Sequence, residues 1–440
     1  MTPRPLWFVG DVHLGRAAVT LPRALADHDV DALRLAPAAA FLRLIDAVLE
    51  SEAEALVFAG DLVDSENARF EAYGLLERGV RRLVDAGVRV FAVAGNHDVV
   101  ALPRLAREVR GFELLGQGGH WEERALEHAS LVGWSFPEAR VKTSPLGALR
   151  LEPSARPRFG VLHCDLDASS SHHAPVARAE LLAQPVDAWM LGHIHAPSFA
   201  ADAGGMALGY LGSLSPLHRG EVGPRSALRV DFADRGWSFE RVELAPLRFE
   251  EVRIVLDDTM TDDIATVVLA AMRDRLAALQ ATSVEVLVLR IRVGGRVRDA
   301  ARLRAELRAL DIEAASVTLG SKLACACELR CDLRTALDVE ALARGGDAVA
   351  VLAREVLELE AAVEAERATA LAMELQDFDA RLRLETRFRA VQARACEESP
   401  AQRLLRVGHA MLASMLSSTP VSTSGPSNDG THAAAIEAGP

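Results

Sequence analysis

The chain has 440 residues, half of them hydrophobic and a quarter charged, with a formal net charge of −13. That length exceeds one ordinary domain and predicts two or three, each able to bury a core. The acidic balance excludes a free-standing polycation that coats nucleic acid by charge alone; a local basic groove, or a metal site carrying its own positive charge, stays open.

Five cysteines, at 164, 325, 327, 331 and 396, lack a disulfide-framework spacing and suit a reducing cytosol. The first strand candidate begins at Leu6, leaving no room for a signal peptide, and no apolar run approaches membrane-spanning length. A cytoplasmic protein is expected.

In chain order, Leu6-Trp7-Phe8-Val9 is an apolar strand candidate running into Gly10-Asp11-Val12-His13-Leu14-Gly15. A helical pattern spans about 37–49, with Pro37 suited to its first turn. Strand 55–59 ends in Gly60-Asp61-Leu62-Val63-Asp64, and a helix over about 68–86 leads to strand 88–93 and Ala94-Gly95-Asn96-His97-Asp98. This alternation predicts a parallel α/β sheet wound right-handedly.

After Pro103 turn signals become dense. Strands are expected over 129–134, over 158–162 ending at His163-Cys164-Asp165, and over 186–191 ending at Gly192-His193-Ile194-His195, with a Ser/His-rich loop at 168–174. Segments 209–213, 227–232 and 237–242 read as antiparallel strands closing a second sheet. Residues 1–245 are therefore expected to form a four-layer αββα sandwich.

Around Pro246 the texture changes. Strands at 249–255, 284–293 and 312–319, alternating with helices at 261–280 and 299–310, read as a small βαβαβ domain over 246–337. A charge-rich helical region follows over 338–416, broken at Gly345-Gly346, with Ser399-Pro400 opening its last helix. Residues 417–440 lose periodicity and gain Ser, Thr, Pro and Gly, which predicts a disordered tail. Cys325, Cys327 and Cys331 alternate in and around a strand, which reads as burial rather than a metal site.

The chemistry gathers at five strand ends: Asp11 and His13, Asp61, Asn96 and His97, His163, and His193 and His195. Ligands bind at the carboxyl edge of open α/β sheets. Carboxylate, carboxamide oxygen and imidazole suit borderline-hard divalent metals, and the lack of Cys in the set argues against a structural zinc. So many candidate ligands exceed what one open ion needs. They fit two ions sharing a carboxylate, a pair about 3.5–4 Å apart being the usual device for activating water against a phosphoester. Elsewhere a lone histidine is more often structural, and His28, His120, His128, His172, His173, His218, His409 and His432 are read as core or surface residues.

Gly10-Asp11-Val12-His13, Gly60-Asp61-Leu62-Val63-Asp64, Gly95-Asn96-His97-Asp98, His163 and Gly192-His193-Ile194-His195 resemble, in order, the five motifs of calcineurin-like metallophosphoesterases. The resemblance covers roughly 1–245. It implies that Asp11, His13 and His195 hold one ion, that Asn96, His163 and His193 hold the other, and that Asp61 bridges them opposite a water or hydroxide. His97 is left unligated, for the leaving oxygen or the scissile phosphate. Asp98 is expected to hold the other ring nitrogen of His97 or to cap the turn; Asp64 to orient a ligand or cap a helix; Gly95 to give the backbone room to turn.

Beyond the last motif, Tyr210-Leu211-Gly212-Ser213 and Gly220-Glu221-Val222-Gly223 look like stretches of the SbcD-type DNA repair exonucleases and their YhaO-type relatives, with Leu211 in place of a Pro. That likeness makes Tyr210 and Ser213 candidate substrate contacts. It implies a manganese-dependent DNA exonuclease or endonuclease in repair, a capping domain that shapes DNA access, and an SMC-like coiled-coil ATPase of SbcC type as partner. Relatives dimerise, and some carry His at the place of Asp64. Leu404, Leu405, Met411, Leu412, Met415 and Leu416 form an apolar stripe that reads either as the ATPase dock or as packing on its own domain. The competing functions are a small-molecule phosphodiesterase or phosphatase of the same superfamily, and a non-catalytic scaffold binding DNA ends.

Overall fold

The computed structural model describes residues 3–17, 19, 21–65, 68–201, 206–233, 236–257, 263–364 and 400–417. The chain begins with β1 (Leu6–Val9), whose four apolar residues are all buried, as a parallel strand covered on both faces must be. A short helix α1 (Ala24–Asp27) precedes α2 (Pro37–Glu50), which buries Ala40, Phe41, Leu44, Ile45 and Val48 along one stripe. Then follow β2 (Ala55–Ala59), α3 (Arg69–Asp85), β3 (Arg89–Val93), α4 (Ala101–Glu108) and β4 (Phe112–Leu114). β1, β2, β3 and β4 pair parallel in that order, as the alternating pattern predicts.

A hairpin of β5 (Trp121–Ala125) and β6 (Ser130–Trp134) opens the second sheet. It continues through β7 (Arg158–His163), α5 (Arg178–Leu182), β8 (Ala188–Gly192), β9 (Ala200–Ala201) and β10 (Ala207–Tyr210), in the order β5-β6-β7-β8-β10-β9. The next two strands correct the sequence reading. β11 (Ser226–Ala233) and β12 (Gly236–Glu243) are antiparallel to each other but extend the first sheet, with β11 lying against β1 at Leu6↔Val230. β10, expected to be antiparallel, pairs parallel with β8. Apolar alternation reports which face of a strand is covered and is silent on its neighbour.

Leu6, Phe8, Val57 and Phe91 of the first sheet meet Leu131, Phe159, Val161 and Met190 of the second in one core. Trp7, Val9, Leu56 and Phe58 face the other way, onto α2 and α3. Truncating one of the buried Phe rings to Ala would cost about 3–5 kcal/mol. The fourth layer, over Trp134, Leu162, Trp189 and Leu191, is thin: α5, a 3₁₀ turn (Pro145–Ala148) and loops. The fold is a metallophosphoesterase-type α/β sandwich.

A third sheet is built from β13 (Leu247–Leu256), α6 (Ile264–Ala277), β14 (Val286–Val297), α7 (Ala300–Ala309), β15 (Ser316–Leu319) and β16 (Lys322–Thr335), in the order β13-β14-β16-β15. The expected βαβαβ pattern thus gains a fourth strand. β16 turns back on β15 through Gly320, at φ 62°, and Ser321, with Leu319 opposite Lys322. Cys325, Cys327 and Cys331, read as alternating in and around a strand, lie within β16.

Among the described residues the chain divides into two compact units: one drawn from Met1–Ile254, Thr261–Val293 and Leu307–Cys331, the other from Val255–Met260, Gly294–Glu306 and Asp332–Pro440. Within the first, Leu247, Phe249, Val286, Val288 and Leu323 share a core with Ala24, Leu25 and Leu35. Cys325 and Cys327 are buried there, as expected, while Cys331 is exposed. Within the second, α8 (Val339–Ala343) and α9 (Ala348–Glu364) flank the Gly345-Gly346 break, and α10 (Pro400–Ser417) packs on α9 through Leu412 and Leu405. The apolar stripe therefore splits: Leu412 is fully buried, whereas Met411 and Leu416 are exposed. No helix among the described residues is long and apolar enough to cross a membrane. The expected tail, with His432, and Cys396 lie outside the described residues.

Candidate metal centre

Parallel pairing aligns the ends of β1, β2 and β3, and likewise β7 with β8, where His163 stands opposite Gly192. Asp11 and His13 follow β1, Asp61 follows β2, Asn96 and His97 follow β3, His163 closes β7, and His193 and His195 follow β8. The two sheets bring these ends to one edge. Asp61 Oδ2 is 3.4 Å from His163 Nε2 and 3.9 Å from His13 Nε2. Two clusters of ligand atoms result, Asp11 with His13 and His195, and Asp61 with His163 and His193. Asn96 Oδ1 joins the second, 3.0 Å from His163 Nε2.

Three of these residues hold left-handed backbone conformations: His13 at φ 51°, Asp61 at φ 48° and His193 at φ 101°. Such conformations cost about 1–3 kcal/mol each and cluster at functional sites. Backbone bonds from Val12 and His13 N–H to the Asp61 carbonyl, at 3.1 and 3.0 Å, hold two of them. Gly95 serves differently from expectation: it does not supply a turn at positive φ, but a Cβ there would run into the Asp61 carboxylate.

The imidazoles are aimed by partners on their outer nitrogens. His13 Nδ1 bonds Asp64 Oδ1 at 3.1 Å, His195 Nδ1 bonds Glu221 Oε1 at 2.7 Å, and His163 Nδ1 bonds the Ala59 carbonyl at 3.1 Å. Glu221 is itself fixed by Ser213 Oγ and Leu217 N–H. His13 Nε2 is left buried without a hydrogen-bond partner.

Asp11 and Asp61 are buried, and the donors that reach them are backbone N–H groups, of His193 to Asp11 at 3.1 Å and of His97 to Asp61 at 3.0 Å. Burial pushes Asp11 up, and burial together with Asp98 and Asp11 pushes Asp61 well up. Burial lowers His193, lowers His163 well below the ordinary value, and takes His13 to about 3, with His195 and His97 adding to the last. For His195, burial alone would lower the ring, but Glu221 and Asp11 raise it. The lowered imidazoles of His13, His163 and His193 beside the buried carboxylates of Asp11 and Asp61 fit divalent cations, which would supply positive charge to both carboxylates.

His97 stays on the exposed side of this set, its ring 5.2 Å from that of His13. The expected Asp98–His97 ring bond is not the one made: His97 Nδ1 meets the Asp64 carbonyl at 3.0 Å. Asp98 is fully buried, and its oxygens accept from Leu62 N–H at 2.7 Å, Val63 N–H, and Gly95 N–H at 2.8 Å. It therefore ties the end of β3 to the end of β2, as a turn cap does, and burial pushes it up to about 6. Asp64 makes the ligand-orienting contact of its two expected roles and also faces Arg16 at 3.5 Å; the side chain at the start of α3 is Ala68, without a cap bond.

Tyr210 and Ser213, expected to touch substrate, have hydroxyls committed within the protein. Tyr210 Oη accepts from Leu166 N–H at 2.7 Å and donates to the Cys164 carbonyl, while Ser213 is 1% exposed against Glu221. Conversely His173, read as an ordinary loop histidine, sits at the site: its ring centroid is 4.8 Å from that of His193 and its Nδ1 is 3.8 Å from Asp165 Oδ2. No strand precedes it, so no local pattern flags it. Glu221 stood inside a recognised stretch without a role, and the tertiary contact with His195 supplies one.

The two clusters could each hold a metal ion, and residues 4–197 match the calcineurin-like phosphoesterase family. The chain thus carries a calcineurin-like metallophosphoesterase domain. It is 26% identical over 207 residues to the uncharacterized metallophosphoesterase YhaO of Bacillus subtilis, covering 45% of this chain and 50% of that one. The DNA double-strand break repair protein Mre11 of Methanopyrus kandleri is 26% identical over 318 residues, covering 61% of this chain and 68% of its own. That of Aeropyrum pernix is 28% identical over 293 residues, with 62% and 68% covered. The match therefore spans half of YhaO and about two thirds of each Mre11. A solved dimetal phosphatase from Danio rerio aligns over its whole length and 56% of this chain, at 13% identity and TM-score 0.35.

Proposed function

We propose that this chain is a manganese-dependent phosphodiesterase that cleaves DNA in repair, with Asp11, His13 and His195 holding one ion, Asn96, His163 and His193 the other, and Asp61 shared. The observation that carries this reading is the Asp61 carboxylate lying between His163 Nε2, at 3.4 Å, and the unpartnered His13 Nε2, at 3.9 Å. Divalent ions held by these residues would make a bound water more acidic and would draw charge from the phosphate oxygens.

The residues themselves do the rest. Asp64 and Glu221 keep His13 and His195 in the tautomers whose Nε2 lone pairs face inward. His97, with Nδ1 on the Asp64 carbonyl, turns Nε2 toward solvent and the phosphate, and its proton goes to the leaving oxygen as that P–O bond breaks. The likeness to DNA double-strand break repair proteins supports DNA as substrate. The net charge of −13 favours a second reading, a small-molecule phosphodiesterase or phosphatase.

The same reading places the chain in the cytoplasm, as a homodimer working with an SMC-like coiled-coil ATPase of SbcC type. Val407, Met411 and Leu416, exposed on α10 beside the buried Leu412, support a coiled-coil dock there. The test compares manganese-loaded protein on linear duplex and single-stranded DNA with cyclic nucleotides and phosphomonoesters. DNA cleavage that a chelator abolishes is the expected result. Turnover of the small esters alone would transfer the assignment to the second reading, and no turnover of any substrate, with the ATPase present, would overturn both.

A further inference from the structure

Imidazole–carboxylate pairs around the site fall into two kinds. His195 with Glu221 at 2.7 Å and His13 Nδ1 with Asp64 at 3.1 Å lie at hydrogen-bond distance. His163 with Asp61 at 3.4 Å and His13 Nε2 with Asp61 at 3.9 Å are wider, and the proposed ions belong between them. Donor atoms around a four-coordinate ion with bonds of about 2.0–2.2 Å stand roughly 3.3–3.6 Å apart, beyond the about 2.7–3.2 Å of an N–H···O bond.

The wider kind recurs outside the assigned ligands, at His218 Nε2 with Glu221 Oε1, 3.3 Å apart, and at Asp165, where three residues converge. His193 Nε2 is 3.3 Å from Asp165 Oδ1, and His173 Nδ1 is 3.8 Å from Asp165 Oδ2. One ligand atom from each of the three residues lies within 4.8 Å of the other two. We propose that Asp165, His173 and His193 hold a third divalent cation beside the pair.

The scaffold is already fixed. Asp165 N–H bonds the His173 carbonyl at 2.9 Å, Ser171 Oγ donates to Asp165 Oδ2, and His173 N–H bonds Ser171 Oγ at 3.0 Å. Val141 pairs with His173 from the other side. One carboxylate and two imidazoles suit zinc, with water completing the shell. The side chains of His173 and Asp165 are 36% and 18% exposed, against 0% for His163 and 2% for Asp61, so this ion is the exchangeable one. His193 belongs to both groups: it would face the third cation through Nε2 and the pair through its other ring nitrogen, as an imidazolate whose ring proton is released to solvent, so the proposal rests on the dinuclear reading; Asp165 and His173 belong to the third position alone.

The experiment strips the full-length protein with chelator, titrates it with zinc, and counts metal per chain after gel filtration. Wild type is expected to retain three equivalents, and His173→Ala and Asp165→Asn two each. His173→Asn, which keeps a polar side chain in the loop, serves where the alanine variant folds poorly and is likewise expected to retain two. Two equivalents in wild type, or three in the variants, would overturn the third position while leaving the pair intact. A wild type that retains no metal would sink the dinuclear reading with it.

Discussion

At the scale of single residues, the site is a set of inner candidate ligands held by outer partners, and the two kinds should respond differently to mutation. His97 is not among the assigned ligands, and its contact with Asp61 is through backbone N–H, which a side-chain change keeps, so His97→Ala should lower DNA cleavage by about 10²–10⁴-fold, the usual worth of a general acid, with metal content per chain unchanged. Cleavage at the wild-type rate would remove its role. Asp64→Ala and Glu221→Gln act through His13 and His195, which they hold at 3.1 and 2.7 Å. Each should weaken manganese binding by about 10–100-fold in a calorimetric titration, with activity recovering at saturating metal. Ser213→Ala removes one buried hydrogen bond to Glu221, at a cost of about 1 kcal/mol, and should leave KM for substrate where it was.

At the scale of elements, the strand ends are the precision parts and the helices the tolerant ones. Gly95, just after β3, lies where a Cβ would strike the Asp61 carboxylate, whereas a Cβ at Gly147 would meet nothing within 4 Å. Gly95→Ala is therefore expected to lose bound metal and lower Tm, while Gly147→Ala retains both; equal metal content in the two would show that Asp61 has room to move. In the second unit, Leu412 is fully buried between α9 and α10, whereas Met411 is 51% exposed. Leu412→Ala should cost about 2–5 kcal/mol, read as lost hydrogen-exchange protection in both helices. Met411→Glu should leave that protection unchanged and, if the proposed partnership holds, weaken capture of a coiled-coil ATPase, which would separate the proposed docking face of α10 from its packing face.

At the scale of the whole molecule, the buried carboxylates and imidazoles at the sheet edge couple stability to pH. Burial raises Asp11, Asp61 and Asp98, the last to about 6 from an ordinary 3.8, so in the metal-free fold these groups favour the protonated form. A raised carboxylate contributes stability that is present below the unfolded value and lost as pH rises through the folded one. For Asp98 that window runs from about 4 to 6. His13, lowered to about 3, acts in the opposite sense: its contribution is full above the ordinary 6.5 and lost as pH falls toward 3. Manganese should replace the missing positive charge where the carboxylates are ionised and competes with protons where they are not. The rise in Tm on adding manganese should accordingly be larger at pH 7.5 than at pH 5, and an equal rise at both would refute the coupling. The residues that gather at the sheet edge were legible in the sequence because each follows, or closes, an apolar strand, so a local pattern of a few residues carries both the strand and the polar block at its end. The same locality made Asp64 recognisable, five residues before α3 yet close behind Asp61. What the sequence could not show depends on which distant segments meet. Glu221 against His195, the Asp64 carbonyl against His97, His173 against His193, and the return of β11 to β1 all join residues far apart in the chain. Alternation fixes which face of a strand is buried, but its partner is decided only when the whole core closes, and those contacts exist only in the tertiary structure.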